Sequence, residues 1–509
     1  WVPPGSQQNA KQAGTTWPQC SQARVSKSFN TAGSLWPDTS GMHTALTDSS
    51  LAPAFPPGPS SHLWGLPLLR EMQRDYLATA ERLHAAHGDA VFARIGPERT
   101  YDFFHPERVR EVLVDKASSF IRWERGTAVF AEVHGQSVLV TEGEVWQRQR
   151  RMLQPGFGPK RMAAYAHWMV AAAGEALDAL PRLPEQTLDF EPLMTQLTMD
   201  VVLRTLYGHA VGPDGRAEAL AAARAVQTIS HDGMQAMFWP ASLPDWMPHK
   251  WPVRQAKQQL DALVRRHISQ RRQEAETGRP AQDDVLGMLL AARDEQGDQG
   301  TLSDTEVRDQ CMTIFLAGHE TTAAALTWWG HTMATHPDCA QRAQAEVDQV
   351  LGPRPPQYAD IPALPYLAQT LKETMRLYPP AASLISRRAI EPVQIGPWPL
   401  PQGALVRITP WVLHRDARWF PDPERFDPER FSEAGQAAQV RGSYLPFGTG
   451  PRVCIGSLFA MSEMVLVAAM VLQRFALAPA STAPVQPRLN VILRPAGGMP
   501  LRLRRRKNL

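Results

Sequence analysis

Residues 447–456 read Phe-Gly-Thr-Gly-Pro-Arg-Val-Cys-Ile-Gly and place Cys454 in a glycine-rich turn ahead of an apolar helical pattern. In such a turn, backbone N–H groups and the positive end of the helix face the sulfur and favour the thiolate over the thiol. A thiolate held in this way is either a metal ligand or a nucleophile. The rest of the chain has to decide between these two roles.

The composition is that of a large globular protein. The chain has 509 residues, of which 43% are hydrophobic and 20% charged, and its net charge of +3 does not indicate a nucleic-acid binder. The four cysteines are far apart and form no CxxC pair. This spacing argues against a structural zinc site or a disulfide framework and suits the reducing cytoplasm. Without a run of about 18 apolar residues, no membrane anchor is expected.

The first 55 residues differ from the rest in composition. They are rich in Ser, Thr, Gln, Gly and Pro without apolar periodicity, so we predict a disordered or non-native N-terminal extension (1–55) before one domain (56–509). A further hypothesis is that residues 1–41 are upstream-frame sequence and that native translation starts at Met42. An intact mass that includes earlier residues, measured on protein made from its own gene, would reject it.

Most of the domain has helical periodicity. The pattern predicts a helix within Leu69–His87, a strand pair over Ala90–Phe104, and short strands with Pro-rich turns over 379–431. The segment Phe120–Leu139 looks irregular, and a loop of that length inside a domain is usually functional. A Pro/Trp/Met-rich loop at 238–252 is predicted to be a lid.

A capping box at residues 303–306, Ser-Asp-Thr-Glu, predicts the start of a long apolar helix that runs to about Ala334. It has to end before Pro337. Its centre, residues 317–322, reads Ala-Gly-His-Glu-Thr-Thr. Glycine there costs about 1 kcal/mol relative to alanine, and threonine bonding back to the preceding turn bends a helix. Alone, such residues would indicate a contact between helices.

Two further patterns are weak by themselves. Glu373 and Arg376 share one helix face, which is usually a surface ion pair of little energetic value. Trp146 and Arg150 also share a face, and a plain amphipathic helix explains that equally well.

Together these four motifs resemble the cytochrome P450 family of haem-thiolate monooxygenases, over about residues 56–503. The resemblance implies a mainly α fold, a helical prism with a small β-rich lobe, and haem b (iron protoporphyrin IX) as cofactor. Cys454 would be the proximal iron ligand, whose thiolate pushes electron density onto iron. The alternative is a buried cysteine in a glycine turn.

The resemblance also implies the cofactor contacts. Arg452, Trp146, Arg150 and Arg387 would hold the haem propionates, with the adjacent Arg388 as the alternative to Arg387. The full predicted set is Trp146, Arg150, Ala317, Gly318, Arg387, Phe447, Gly448, Arg452, Ile455, Gly456 and Ala460.

Glu320 and Thr321 match the acid–alcohol pair with which the family activates oxygen. Thr321 would hydrogen-bond dioxygen or a water, and Glu320 would relay protons through water. Ala317 and Gly318 would leave room for dioxygen. His319 has two interpretations, a packed or exposed residue and a contact with substrate or the proton route.

Glu373, Arg376 and Arg430 match a buried Glu–Arg–Arg cluster behind the cysteine turn. Its implied role is in folding and haem retention, since breaking one partner would leave a buried charge unpaired.

The substrate lining follows from the resemblance alone, and most of its members are small or apolar, as in a largely apolar pocket. It comprises Gln136, Ser137, Val138, Ala382, Ser383, Leu384, Val491 and Ile492. Met234, Met237, Phe238 and Trp239 are either a roof over this pocket or ordinary core.

The chain has no flavin or nicotinamide fingerprint and no ferredoxin cysteine spacing, so a separate ferredoxin or flavodoxin with its reductase would supply electrons. Arg148, Arg151 and Arg441 are either a basic docking patch for this partner or scattered surface arginines.

The predicted function is O₂-dependent hydroxylation or epoxidation of an apolar organic molecule by a cytoplasmic monomer. The alternatives are a peroxide-driven peroxygenase or isomerase and a non-catalytic haem-thiolate ligand-binding protein. Glu320-Thr321 argues against them.

Overall fold

The computed structural model describes residues 55–60, 62–208, 213–237, 247–278, 282–294 and 300–506. Residues 52–509 form one unit by their contacts. The predictions of a disordered or non-native N-terminal extension and of a start at Met42 concern residues outside this part of the chain, apart from residue 55. Most of the predicted lid, residues 238–246, also lies outside it.

Helices dominate the described chain, as predicted, and two helices, α1 (Leu66–Arg74) and α2 (Tyr76–His87), replace the single helix expected over Leu69–His87. Asp75 separates the two, and its side chain accepts a hydrogen bond from the Ala78 amide at the start of α2. The helices are α1 Leu66–Arg74, α2 Tyr76–His87, α3 Pro106–Arg110, α4 Glu124–His134, α5 Gly143–Leu153, α6 Pro159–Asp178, α7 Phe190–Tyr207, α8 Pro213–Met237, α9 Trp251–Glu276, α10 Val285–Ala291, α11 Asp304–Thr335, α12 Pro337–Leu351, α13 Pro365–Leu377, α14 Pro410–Leu413, α15 Glu433–Ala438 and α16 Ser457–Arg474.

The strands are short and belong to small sheets. They are β1 Ala90–Ile95, β2 Glu98–Phe103, β3 Phe120–Arg122, β4 Glu185–Asp189, β5 Arg387–Ala389, β6 Val393–Ile395, β7 Trp398–Leu400, β8 Leu405–Arg407, β9 Phe475–Pro479, β10 Pro487–Leu489, β11 Leu493–Pro495 and β12 Pro500–Arg505.

The largest sheet has the strand order β1-β2-β8-β5-β3 and joins the early strand pair to residues 387–407. β1 and β2 pair antiparallel with Ala90 opposite Phe103, and β2 and β8 pair parallel with Thr100 opposite Leu405. A second sheet has the order β4-β12-β9. The pairs β6-β7 and β10-β11 are antiparallel two-stranded sheets.

The long helix α11 begins and ends where the sequence predicts. Ser303 and Glu306 form the capping box, and the helix ends at Thr335, before Pro337. At 1.5 Å per residue, its 32 residues span roughly 48 Å. Trp328 and Trp329 are fully buried, and their indole N–H groups donate to the Leu493 carbonyl and the Thr370 hydroxyl. A buried helix of this length carries the central motif into the interior of the domain.

The prediction of an irregular loop over Phe120–Leu139 is wrong, because this segment contains β3 and the eleven-residue helix α4. Gly126 and Thr127 obscure the helical signal in the sequence. The buried face of α4 nevertheless follows helical spacing, with Gly126, Val129 and Val133 on one side.

In the part of the chain that the structure describes, one helix, α16, is long and apolar enough to cross a membrane by length and composition. Within the domain, 67% of its apolar window is buried. It packs against α6 and other core helices. Its apolar composition is therefore explained by its place in the core.

Candidate active site

A cavity of about 480 Å³ lies between α11 and the glycine-rich turn that holds Cys454. Cys454, Glu320 and Thr321 all line it. The eleven predicted cofactor contacts line it as well, namely Trp146, Arg150, Ala317, Gly318, Arg387, Phe447, Gly448, Arg452, Ile455, Gly456 and Ala460. The fold thus brings three of the four motifs, together with Arg387, to one cavity.

The turn before α16 needs glycine at position 450. Gly450 has a φ of 76°, and a Cβ there would lie 1.9 Å from the carbonyl oxygen of Leu113. The Cys454 amide donates to the Phe447 carbonyl at 3.0 Å, which closes the turn. The Cys454 side chain is exposed to the cavity although protein surrounds it. The sulfur therefore faces the interior of the cavity.

The turn and its burial act in opposite directions on the Cys454 thiol. Burial raises the pKa of Cys454, and the Gly456 amide and Arg150 lower it by less. A thiolate at this position needs a nearby positive charge to stabilise it. A metal ion bound to the sulfur would supply that charge. This argues for a ligand and against a nucleophile.

The opposite wall of the cavity is the middle of α11. Ala317 is exposed there, within a helix that is otherwise mostly buried. The Thr321 hydroxyl donates to the Ala317 carbonyl at 2.9 Å, and its oxygen keeps its acceptor positions. Gly318 has a packing reason of its own, because a Cβ there would lie 3.2 Å from a methyl group of Val202 on α7.

Among the described residues, four arginines line the cavity, Arg122, Arg150, Arg387 and Arg452. Burial and the neighbouring Arg452 lower the pKa of Arg122 to about 9. Burial lowers the pKa of both Arg387 and Arg452 to about 10, and Arg452 is ion-paired with Glu142. The positive charges of these arginines outnumber the single negative charge of Glu142. The cavity therefore favours a ligand with more than one negative charge.

The family model described as Cytochrome P450 matches residues 56–501. The chain belongs to the cytochrome P450 family. It is therefore a haem-containing oxidoreductase of the monooxygenase type, as the resemblance implies, with the helix-rich fold of that family. A P450 uses dioxygen, a substrate and a redox partner.

Several curated relatives align over most of their length. Cyclooctatin synthase of Streptomyces melanosporofaciens is 36% identical over 79% of this chain and 86% of the relative. Cyclooctat-9-en-7-ol 5-monooxygenase of the same organism is 34% identical over 77% of this chain and 83% of the relative. Pentalenene oxygenase of Streptomyces avermitilis is 33% identical over 79% of this chain and 87% of the relative.

The residues around the cavity of this P450 fit haem. A flat apolar ring with two carboxylates matches a cavity that has apolar walls and the four arginines. The guanidinium of Arg452 lies 3.7 Å from the ring centre of Trp146, so these two predicted propionate contacts touch each other. Arg387 lines the cavity, whereas Arg388 pairs with Glu98 and Glu124 outside it. The geometry favours Arg387 over its alternative.

Glu320 is buried and held by two partners that the sequence did not indicate. One carboxylate oxygen pairs with Arg494 at 2.7 Å, and the other accepts a hydrogen bond from Ser230 at 2.9 Å. Arg494 also pairs with Glu191 at 2.7 Å. Against the effect of burial, the two carboxylates raise the pKa of Arg494. Glu320 is thus fixed at the cavity wall. Arg494 links it to the half-buried carboxylate of Glu191, which lies outside the cavity lining.

His319 does not line the cavity. It is fully buried, its Nδ1 bonds the Phe315 carbonyl, and burial lowers its pKa. Its own carbonyl accepts from Thr198 on α7. The packed interpretation of His319 therefore agrees with the structure better than a contact with substrate.

Five of the eight predicted substrate residues line the cavity, Val138, Ser383, Leu384, Val491 and Ile492. The other three do not. Gln136 is exposed, and its carbonyl accepts from Gln149. Ser137 and Ala382 are fully buried behind the wall. Met234 and Met237 also lie outside the cavity lining, whereas Ile229, Ser230 and Gly233 of the same helix belong to it.

The predicted cluster behind the cysteine turn is present. Glu373 and Arg376 have no exposed side-chain surface and form an ion pair at 2.7 Å, and Arg430 approaches Glu373 at 3.4 Å. Arg376 also donates to the carbonyls of His414 and Arg425. Burial raises the pKa of Glu373, and the ion pair with Arg376 opposes this rise.

The basic docking patch is not formed as predicted. Arg148 pairs with Glu306 at 2.7 Å and Arg151 with Asp294 at 2.9 Å, so acidic groups neutralise both. Arg441 is exposed, and no contact among the described residues joins it to them. The scattered surface arginine is the better interpretation of these three residues.

Sequence reasoning missed several lining residues. Arg122, His134, Thr313, Ser230 and the partner Arg494 each come from a different segment. The only local signal belongs to Thr313, which lies four residues before Ala317 and eight before Thr321 on one helix face.

Proposed function

We propose that this P450 inserts one atom of O₂ into an apolar, ring-containing organic molecule, by hydroxylation or epoxidation, with electrons from a separate ferredoxin or flavodoxin and its reductase. The observation that carries this proposal is one cavity with Cys454 on one wall and Ala317, Glu320 and Thr321 on the other. We further propose a cytoplasmic monomer.

The lining supports an apolar substrate. Beyond the arginines, the wall consists mainly of hydrophobic side chains, with a few polar groups set among them. Representative apolar members are Val129, Phe130, Leu206, Ile229 and Ile314. The names of two relatives, cyclooctat-9-en-7-ol 5-monooxygenase and pentalenene oxygenase, support a cyclic alkene or its alcohol, of the terpene kind.

Haem, when bound, supplies the activation of dioxygen, and Cys454 is the proposed ligand of its iron. Arg150, Arg387 and Arg452 are proposed to hold its propionates, with Trp146 stacked on Arg452. Arg122 joins this set. The apolar wall orients the substrate and excludes water.

Glu320 is proposed to deliver protons to the cavity. Its ion pair with Arg494, which also pairs with Glu191, holds the carboxylate at the cavity wall. To exchange a proton with water, the Glu320 carboxylate has to leave Arg494, and Ser230 keeps one of its oxygens in place meanwhile. The Thr321 hydroxyl, whose hydrogen is engaged by Ala317, is proposed to accept a hydrogen bond from the water that carries the proton.

A peroxygenase or a non-catalytic haem-thiolate protein would not need this proton route. The buried acid with its paired arginine, together with Thr321 on the same wall, therefore favours the O₂-dependent monooxygenase over both alternatives.

Changing Glu320 to Gln is expected to lower O₂-dependent product formation by roughly 10²-fold, the scale of one general acid. NADPH oxidation with a surrogate ferredoxin and its reductase would be uncoupled from product. Turnover driven by hydrogen peroxide would change little, since peroxide brings its own protons. Product per NADPH and product per peroxide are the two measurements.

The matched control is Glu191→Gln, which removes the other carboxylate on Arg494 without touching the cavity lining. It is expected to retain most of the coupled turnover. Equal coupled turnover in wild type and Glu320→Gln would contradict the proposed role, and equal losses in both turnover assays would indicate a structural one.

A further inference from the structure

A polar group lies in the cavity away from Glu320 and Thr321. It consists of His134 at the end of α4 and Thr313 on α11, both of which line the cavity, and of Ser137 behind them. The Nδ1 atom of His134 lies 3.1 Å from the Thr313 hydroxyl, which lies 2.6 Å from the Ser137 hydroxyl. Nothing in the proposed oxygen chemistry uses this group.

The hydrogen bonds fix the state of the imidazole. The Thr313 hydroxyl donates its only hydrogen to Ser137, so His134 has to donate Nδ1–H to Thr313. Burial, aided by nearby Arg308, lowers the pKa of His134 to about 4, so the ring is neutral at physiological pH. A neutral ring with its hydrogen on Nδ1 has a lone pair on Nε2. No residue in the described segments donates to that nitrogen.

The position of this acceptor suits a substrate that spans the cavity. Thr313 and Thr321 are eight residues apart on one face of α11, a distance of about 12 Å along the axis. Ala317 lies between them. The Phe130 ring lies 5.8 Å from the imidazole, and both residues line the cavity. Arg308, whose charge acts on His134, is engaged by Asp261 and Asp309.

We propose that Nε2 of His134 accepts a hydrogen bond from a hydroxyl group of the substrate, so that this P450 oxidises a cyclic apolar molecule that already carries an alcohol. The inference rests on the proposed function and adds the substrate's polar group and its anchor. An acceptor without a hydrogen selects an alcohol over a ketone, an ether or the parent hydrocarbon. The substrate then comes from an earlier hydroxylation, or from a ring closure that ends in the addition of water.

The test compares cedrol, a tricyclic alcohol, with cedrane, the hydrocarbon that lacks its hydroxyl. Both are titrated calorimetrically into the haem-loaded enzyme. Wild type is expected to bind cedrol about tenfold more tightly, the scale of one buried hydrogen bond. In His134→Leu that preference is expected to vanish while the affinity for cedrane stays within about twofold. His134→Gln, which retains an acceptor oxygen, is expected to keep part of it.

Ser383→Ala is the control, because Ser383 also lines the cavity but its hydroxyl donates to Tyr76. It is expected to keep the preference for cedrol. If His134→Leu does not retain haem, Thr313→Val replaces it, since it removes the group that orients the imidazole, and the same loss is expected.

A wild-type enzyme without a preference for cedrol, which includes one that binds no cedrol, overturns the inference. So does an equal loss of both ligands in the variants, which would mark His134 as purely structural. A preference that is present in wild type and lost in His134→Leu supports it even if neither compound is oxidised. Failure of the proposed function would instead show as absent O₂-dependent turnover.

Discussion

Changing Cys454 to Ser is expected to abolish O₂-dependent turnover and to remove the haem-thiolate band from the spectrum of the reduced, carbon-monoxide-bound protein. A serine oxygen at this position keeps its proton, because burial disfavours its ionised form even more than that of the sulfur. Without a thiolate donor, the push of electron density that favours O–O cleavage is lost. Haem content, the spectrum and product formation are measured together.

The matched control is Cys339→Ser, because Cys339 is a free cysteine on α12 outside the cavity lining. It should leave the band and the turnover unchanged. A Cys454→Ser protein that keeps the thiolate band would show that another residue binds the iron, and the assignment of the glycine-rich turn would then be wrong.

Changing Glu373 to Gln is expected to lower the free energy of unfolding by about 3–5 kcal/mol, the cost of leaving a buried charge without its partner. Arg376 is fully buried, so its guanidinium would keep carbonyl partners but lose the carboxylate that balances its charge. Glutamine keeps the volume, which isolates the effect of charge from that of packing. Urea unfolding of the haem-loaded protein measures the change.

An exposed ion pair serves as the reference. Glu71 and Arg82 pair at 2.6 Å with more than a third of each side chain accessible, so Glu71→Gln should cost at most about 1 kcal/mol. Similar losses for the two substitutions would contradict a special role of the buried cluster. Loss of haem from Glu373→Gln before global unfolding would indicate that the cluster supports the cysteine turn.

The sequence allowed prediction of those parts of the site whose residues lie close together along the chain. The turn around Cys454 and the capped helix α11 are local patterns, because glycine φ angles and capping boxes depend on neighbours. Arg494 could not be found in this way, since its contact with Glu320 joins positions 174 residues apart. The same holds for His134, whose partner Thr313 is 179 residues away.

The errors in the substrate lining have a similarly local cause. Ser383 and Leu384 line the cavity, whereas the neighbouring Ala382 is buried in an apolar cluster with Trp411 and Leu493. The resemblance identified the segment but not which of its residues face inward. For Arg148 and Arg151, the acids that neutralise them lie at 306 and 294, in segments that only the fold brings near.

The central claim is that the cavity between Cys454 and the Glu320–Thr321 wall transfers one atom of dioxygen to an apolar ring compound. The most direct test incubates the haem-loaded protein with cedrol, NADPH, a ferredoxin and its reductase under ¹⁸O₂, and follows the product by mass spectrometry. The account predicts a product that gains one ¹⁸O atom, with none from labelled water. A product whose new oxygen comes from water, or one that forms only with added peroxide, would contradict it.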